Sequence, residues 1–137
     1  MILVDTGPLV AIADADDRDH ERCINALATA ARPFLVPTTV LTEVCYLLER
    51  ELGSQAEAAF LRSFDEGSFT FIELIPADLE RMANLVATYA DLPLGGVDAS
   101  IVAITERLGI TEIATLDRRH FMVVRPRHVA AFTLLPV

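Results

Sequence analysis

Four acidic residues lie inside apolar stretches of the sequence, where an ionised carboxylate is costly unless it is paired. They are Asp5, Glu43, Asp98 and Asp117. If they converge in the fold, each carboxylate raises the pKa of the others, and a bound divalent cation removes that penalty. Oxygen ligands without His or Cys are typical of Mg²⁺ or Mn²⁺ sites. Such cations suit phosphodiester hydrolysis, because one ion lowers the pKa of the attacking water and a second stabilises the leaving oxygen.

Each of these acids also has a purely structural interpretation. Asp5 and Asp98 could cap helices that follow them, since an aspartate side chain accepts hydrogen bonds from free N–H groups at a helix start. Asp117 could open an Asx-turn, and Glu43 could point to solvent from an amphipathic helix. The occurrence of all four in apolar surroundings favours a shared metal site over four separate structural roles.

Several other chemistries lack the residues that they need. The three histidines, His20, His120 and His128, do not have the HExxH spacing of a zinc hydrolase. The sequence contains no Walker A or GxGxxG motif to cradle phosphates and no GxSxG elbow for a serine nucleophile. Cys23 and Cys45 match neither a CxxC motif nor a zinc ribbon. The acidic group is therefore the best candidate for chemistry.

Alternating strands and helices must position these acids. The predicted strands span residues 1–5, 34–37, 69–75, 112–117 and 132–135, the last at a sheet edge. The predicted helices span residues 9–13, 17–30, 38–52, 55–65, 76–89 and 98–108. This alternation predicts an α/β fold with a central parallel sheet covered on both faces. Ligands bind outside the carboxyl ends of such strands, which is where Asp5 and Asp117 are expected.

Turn and cap residues set the predicted boundaries. The Thr-Gly-Pro sequence at residues 6–8 is expected to form a turn before the first helix. Thr38 or Thr39 is expected to cap the helix that carries Glu43, and Ser54 to cap the next one. Residues 92–96 are expected to form a loop before the helix that carries Asp98.

Length and composition indicate a folded protein outside the membrane. A length of 137 residues predicts a single domain over residues 1–137. With 53% hydrophobic and 23% charged residues, the chain is not of the disordered class. Every apolar run is interrupted by charge before the roughly 20 residues that a membrane helix needs, and no signal peptide is evident. Two isolated cysteines suit a reducing compartment, so a cytoplasmic location is expected.

The charge distribution bears on binding to nucleic acids. A formal charge of −9 argues against nonspecific binding through counterion release. The segment after Asp117 contains no acid, however, and four arginines follow in it, namely Arg118, Arg119, Arg125 and Arg127. All eleven basic residues are Arg. This usage reflects either coding bias or the suitability of the guanidinium fork for bidentate phosphate contacts.

These residues and their order resemble the PIN-domain ribonucleases, and in particular the VapC toxins of VapBC toxin–antitoxin modules. The resemblance spans essentially the whole chain and is carried by MILVDTGPLVA, PTTVLTEVCYLL and YADLPLGGVDASIVAITERLGITEIATLDRRHF. It implies that Asp5 and Asp98 bind metal, that Glu43 is the helical glutamate, and that Asp117 is the acid of the TxD pattern. Thr6 and Thr115 match the hydroxyl residues that support those acids in the family.

The resemblance also implies an activity and partners. The implied fold is a single PIN domain with a three-layer α/β/α sandwich, and the implied activity is Mg²⁺-dependent or Mn²⁺-dependent endonucleolytic cleavage of a structured RNA such as tRNA or rRNA. A homodimer silenced by a cognate VapB-type antitoxin is expected. Two other classes stay open: a receiver-like signalling domain, which the absence of lysine disfavours, and a catalytically inactive α/β binding module, which the intact set of acids disfavours.

Overall fold

The computed structural model describes residues Met1–Val137 and contains one sheet of five parallel strands. The strands are β1 (Ile2–Val4), β2 (Phe34–Pro37), β3 (Thr70–Ile72), β4 (Glu112–Ala114) and β5 (Thr133–Leu135). The helices are α1 (Thr6–Ala13), α2 (His20–Thr29), α3 (Thr38–Leu52), α4 (Ser54–Asp65), α5 (Pro76–Thr88), α6 (Gly96–Leu108) and α7 (Arg118–Val123). Because helices flank the sheet, the predicted α/β/α sandwich is confirmed. None of the helices has the length and apolar character needed to span a bilayer.

The strand order places β1 at the centre of the sheet. The order is β3-β2-β1-β4-β5, and the side chains of Ile2–Val4 are fully buried, as expected for a parallel strand covered on both faces. The winding direction reverses between β1 and β4, and ligands of doubly wound sheets bind at this switch point. Asp5 follows β1 directly, and Thr115 follows β4. The fold therefore delivers both residues to this crevice.

Helix α6 is the most deeply buried helix and carries Asp98 in its first turn. All seven residues from Ala99 to Thr105 are buried. The two buried hydroxyls within this stretch bond to backbone carbonyls, from Ser100 to Val97 at 2.6 Å and from Thr105 to Val102 at 2.7 Å. Their polar atoms are thus satisfied without water. A helix anchored in this way holds Asp98 on a rigid support.

Helix α1 begins earlier than predicted. Residues 6–8, expected as a separate turn, form its first helical turn. Asp5 is its N-cap, and its Oδ1 accepts a hydrogen bond from the backbone N–H of Thr6 at 2.8 Å. Pro8 fits there because N–H groups of the first turn have no intrahelical partner. The capping interpretation of Asp5 is therefore correct, and this cap uses only one of its two oxygens.

The predicted hydroxyl caps of α3 and α4 are wrong. The N-cap of α3 is Pro37 and that of α4 is Gly53, and neither helix has a side-chain cap. The hydroxyl of Thr39 instead lies 2.6 Å from the hydroxyl of Ser100 in α6. This bond joins the helix that carries Glu43 to the helix that carries Asp98.

Other boundaries differ where side chains bind the backbone or the core. Helix α2 begins at His20 rather than near residue 17, because Asp14 and Asp17 accept hydrogen bonds from N–H groups two residues ahead. Strands β3 and β4 are shorter than predicted, whereas β5 lies at the predicted sheet edge. Residues 118–123 form α7, which the sequence did not predict. The side chain of Phe121, 1% exposed, anchors that helix in the core.

Candidate metal centre

The structure brings the four predicted acids to one cleft at the carboxyl ends of the central strands. Asp5, Glu43, Asp98 and Asp117 all line an open cleft of about 680 Å³, and Gly95 also contributes to its wall. These acids come from four separate places in the sequence, so the convergence depends on the whole fold. The expectation that they meet in one pocket is fulfilled.

Asp5 is the most deeply buried of the four acids. Its side chain is 6% exposed, and its Oδ2 accepts a hydrogen bond from the hydroxyl of Thr115 at 2.8 Å. Burial raises the pKa of Asp5 to about 6, although hydrogen bonds from Thr115 and Thr6 lower it. The charges of Asp98 and Glu43 raise it further. Ionised Asp5 is thus poorly compensated by the protein alone, and a cation would supply the missing charge.

Thr115 links two of the acids. Its fully buried hydroxyl donates to Asp5 Oδ2 and accepts a hydrogen bond from the backbone N–H of Asp117 at 3.0 Å. Both hydrogen-bonding functions of the hydroxyl are therefore used. Thr115 fixes the orientation of the Asp5 carboxylate and the start of the segment that carries Asp117.

Replacing Thr115 by Val is expected to destabilise the protein, because the shape is kept while both hydrogen bonds of a buried hydroxyl are lost. The free energy of unfolding should fall by about 1–3 kcal/mol. The matched Thr115→Ser variant keeps the hydroxyl and loses one methyl group, which costs about 0.8 kcal/mol. Urea unfolding in EDTA measures both variants, and a Val variant as stable as the Ser variant would contradict the assigned hydrogen bonds.

Asp98 and Asp117 meet around a residue that the sequence analysis did not single out. Nδ1 of His120 lies 2.7 Å from Asp98 Oδ2 and 3.1 Å from Asp117 Oδ2. Possible ligand atoms of these three residues all lie within 4.8 Å of one another. Burial raises the pKa of Asp98, and the hydrogen bond from His120 acts in the opposite direction. The signal in the sequence was the i, i+3 spacing of Asp117 and His120, which has meaning only once α7 is known.

Glu43 and Thr6 also line the cleft, but Glu43 is exposed whereas Thr6 is buried. Glu43 is exposed on α3, and its charge still acts on Asp5. Thr6 is 7% exposed and lines the cleft, and its hydroxyl has no hydrogen-bond partner within the protein. A buried hydroxyl without a partner is uncommon in folded proteins. Thr6 therefore offers an unused polar group beside the acids.

The four arginines after Asp117 lie outside the lining of the cleft. They are the exposed residues Arg118, Arg119, Arg125 and Arg127. The guanidinium of Arg118 donates to the carbonyl of Pro136 at 2.9 Å, and the backbone N–H of Arg127 donates to Glu106 at 2.8 Å. Their predicted contact with RNA stays a prediction.

Comparisons with known proteins agree with this geometry. The sequence model of the PIN domain family matches residues 2–125. Ribonuclease VapC26 of Mycobacterium tuberculosis is 33% identical over 135 residues, which cover 98% of this chain and 100% of that protein. The structure of Mycobacterium tuberculosis VapC20, a sarcin–ricin loop cleaving toxin, has a TM-score of 0.77 at 22% identity, covering 82% of this chain and 87% of VapC20. A toxin–antitoxin complex from Klebsiella pneumoniae has a TM-score of 0.70 at 20% identity, covering 94% of this chain and 100% of the matched one.

The central parallel sheet, the acids at its switch point and the match over residues 2–125 define the class: this chain belongs to the PIN domain family. Within that family it falls among the VapC proteins, as its 33% identity to VapC26 over nearly the full length of both chains shows.

Proposed function

We propose that this protein is a divalent-metal-dependent endoribonuclease, the toxin of a toxin–antitoxin pair. The observation that carries the proposal is the convergence of Asp5, Glu43, Asp98 and Asp117 on one cleft in a PIN-domain chain. An all-carboxylate set of this kind favours Mg²⁺ or Mn²⁺. The raised pKa of Asp5 supports the same conclusion, because burial of an acid is tolerated when a cation balances its charge.

Asp5 and Asp98 would hold the cation, because they combine the deepest burial with rigid supports at the start of α1 and α6. Asp117 and the more exposed Glu43 would complete the site or orient the attacking water. Thr6 and Thr115 would support them, Thr115 through its bond to Asp5 and Thr6 through its unused hydroxyl. When bound, the cation would supply an acidified water and charge neutralisation for the phosphate.

The proposed substrate is a structured RNA such as tRNA or rRNA. VapC26 carries the name of a ribonuclease, and VapC20 that of a toxin that cleaves the sarcin–ricin loop. Because the chain has a formal charge of −9, attraction of RNA must be local. The cation would supply part of it, and Arg118, Arg119, Arg125 and Arg127 would contact phosphates beyond the cleft.

The proposed partners are a VapB-type antitoxin and a second copy of this chain. The Klebsiella pneumoniae match is a toxin–antitoxin complex. Co-expression with a candidate VapB-type antitoxin, followed by purification and mass measurement, would show whether a heteromeric complex forms.

Removal of divalent metal is expected to abolish RNA cleavage. Purified protein is incubated with total RNA in EDTA, in Mg²⁺ and in Mn²⁺, and the new 5′ ends are mapped by sequencing. We expect discrete cleavage sites with either cation and none in EDTA, because the acids cannot activate water without it. Undiminished cleavage in EDTA would contradict the proposal, and metal uptake without any cleavage would indicate a binding module.

A further inference from the structure

His120 contacts two of the four cleft acids through a single ring nitrogen. Its Nδ1 is 2.7 Å from Asp98 Oδ2 and 3.1 Å from Asp117 Oδ2. The 2.7 Å contact with Asp98 is a hydrogen bond, and because an ionised carboxylate only accepts, its hydrogen lies on Nδ1. The 3.1 Å contact with Asp117 is a close polar contact without a second hydrogen bond. His120 therefore donates a hydrogen bond to the acid in the first turn of α6 and lies beside the acid that precedes α7.

The helix that carries His120 is held in place by the core. The next residue, Phe121, is 1% exposed and packs edge to face against Phe132, with ring centroids 6.3 Å apart. Arg118, at the start of α7, donates a hydrogen bond to the carbonyl of Pro136. The short helix is thus tied to the core and to the C-terminal segment. Residues that hold a site in place need a rigid support of this kind.

The other two histidines have a different environment. His20 Nδ1 lies 2.8 Å from the carbonyl oxygen of Ala11, and His128 Nε2 lies 2.6 Å from that of Ile110. Both therefore bind the backbone, which is a structural role. His120 instead binds side chains that line the cleft, and its exposed fraction of 18% shows that it is largely withdrawn from solvent.

We propose that His120 is a positioning residue, whose Nδ1–H binds the carboxylate of Asp98 and keeps it beside that of Asp117 so that both engage one cation. His120 itself contacts neither the cation nor the RNA. Without this donor, the two carboxylates would repel each other and separate before metal binds. The inference rests on the proposed function, because it assigns the role of His120 through the metal-binding acids.

Three substitutions of His120 test whether it acts as a positioning residue. The side-chain amide of Asn places a nitrogen donor near the position of Nδ1, whereas that of the longer Gln lies nearer to Nε2, and Ala has no donor. Titration of each variant with Mn²⁺, with free ion measured by electron paramagnetic resonance, gives the affinity. Loss of a hydrogen bond to a ligating group lowers metal affinity about 10–100-fold. We expect this loss for His120→Ala and His120→Gln, and near wild-type affinity for His120→Asn.

The controls separate positioning from folding and from direct ligation. Thermal unfolding in EDTA identifies any variant that is not folded, and His20→Asn, which alters a histidine that binds the backbone, should bind Mn²⁺ like the wild type. Wild-type affinity in His120→Ala would overturn the proposal, as would an Asn variant as weak as the Ala variant. Strong coupling of ¹⁴N to Mn²⁺ in pulsed resonance spectra of the wild type would show that the imidazole is a ligand and would also overturn it.

Failure of this inference is distinguishable from failure of the proposed function. Wild-type protein that binds no Mn²⁺ contradicts the metal-dependent nuclease and the positioning role together. Wild-type protein that binds Mn²⁺ and cleaves RNA, beside a His120→Ala variant of equal affinity, contradicts the positioning role alone.

Discussion

Replacing Asp98 by Asn is expected to lower the rate of RNA cleavage by about 10³-fold, which corresponds to about 4 kcal/mol of transition-state stabilisation. The amide is nearly isosteric with the carboxylate, so the buried helix α6 should keep its packing. What is lost is one negative charge at the cleft, and the hydrogen bond from His120 at 2.7 Å is left with a neutral amide oxygen as its acceptor. The measurement is the initial rate of cleavage of a mapped RNA site at saturating Mg²⁺.

Asp65→Asn is the matched control for the lower cleavage rate expected of Asp98→Asn. Asp65 is an exposed aspartate at the end of α4 and lies outside the lining of the cleft. The control variant should cleave at the wild-type rate. An Asp98→Asn variant within tenfold of that rate would remove Asp98 from the metal site.

Replacing Asp5 by Asn is expected to stabilise the metal-free protein at neutral pH while abolishing activity. The pKa of Asp5 is about 6 in the folded protein and 3.8 as its usual value. As the pH rises from about 4 through about 6, the unfolded chain ionises Asp5 first, so the wild type loses stability over this range. The difference between these pKa values corresponds to about 3 kcal/mol.

Asparagine does not titrate, so the Asp5→Asn variant does not lose stability in this way as the pH rises. Urea unfolding in EDTA at pH 4 and pH 7.5 (pH values that we select) gives the difference in unfolding free energy between variant and wild type. That difference should grow with pH by about 2 kcal/mol, because Asp5 of the unfolded chain is already partly ionised at pH 4, whatever constant offset the altered hydrogen bond to Thr115 introduces. For Asp65→Asn the difference should change little with pH. A difference that is constant for Asp5→Asn, or that shrinks, would show that Asp5 is not a buried acid with a raised pKa.

Both predictions reflect the fact that acids placed to bind a cation lower the stability of the metal-free protein. The fold buries Asp5 where its charge costs stability, and it keeps three further acids within the same cleft. A destabilising charge of this kind is common at functional sites, because a group placed to bind a ligand is poorly stabilised when the ligand is absent. Binding of a cation should therefore raise the stability of the wild type more than that of Asp5→Asn.

The class of fold and the place of Asp5 and Asp117 at the carboxyl edge of the sheet could be predicted because they depend on local patterns. The apolar run before Asp5 is typical of a buried strand, and an acid directly after such a strand must lie at the carboxyl edge of a parallel sheet. The same reasoning applied to Asp117, even though β4 ends at Ala114. Alternation of strands and helices was sufficient for the class of fold, and the lengths of β3 and β4 were not needed for it.

The remaining features depend on contacts between distant segments. Helix α7 has only six residues and is stabilised by burial of Phe121 rather than by propensity, so no periodic pattern marks it. The contacts of His120 with Asp98 and Asp117 could not be predicted without that helix. The hydroxyl of Thr39 was expected at a helix cap and instead binds Ser100, 61 residues away. Gly7 is another example, because a Cβ at this position would lie 3.2 Å from Leu116, so α1 packs closely against the segment that precedes Asp117.

The most direct test of the account is anomalous diffraction from crystals grown with Mn²⁺. We expect a single strong anomalous peak, or two adjacent peaks, in the cleft, with carboxylate oxygens of Asp5 and Asp98 about 2.1 Å from a cation. A well-ordered cleft without such a peak at millimolar Mn²⁺, or a cation bound only elsewhere on the protein, would contradict the metal site on which the proposed nuclease depends.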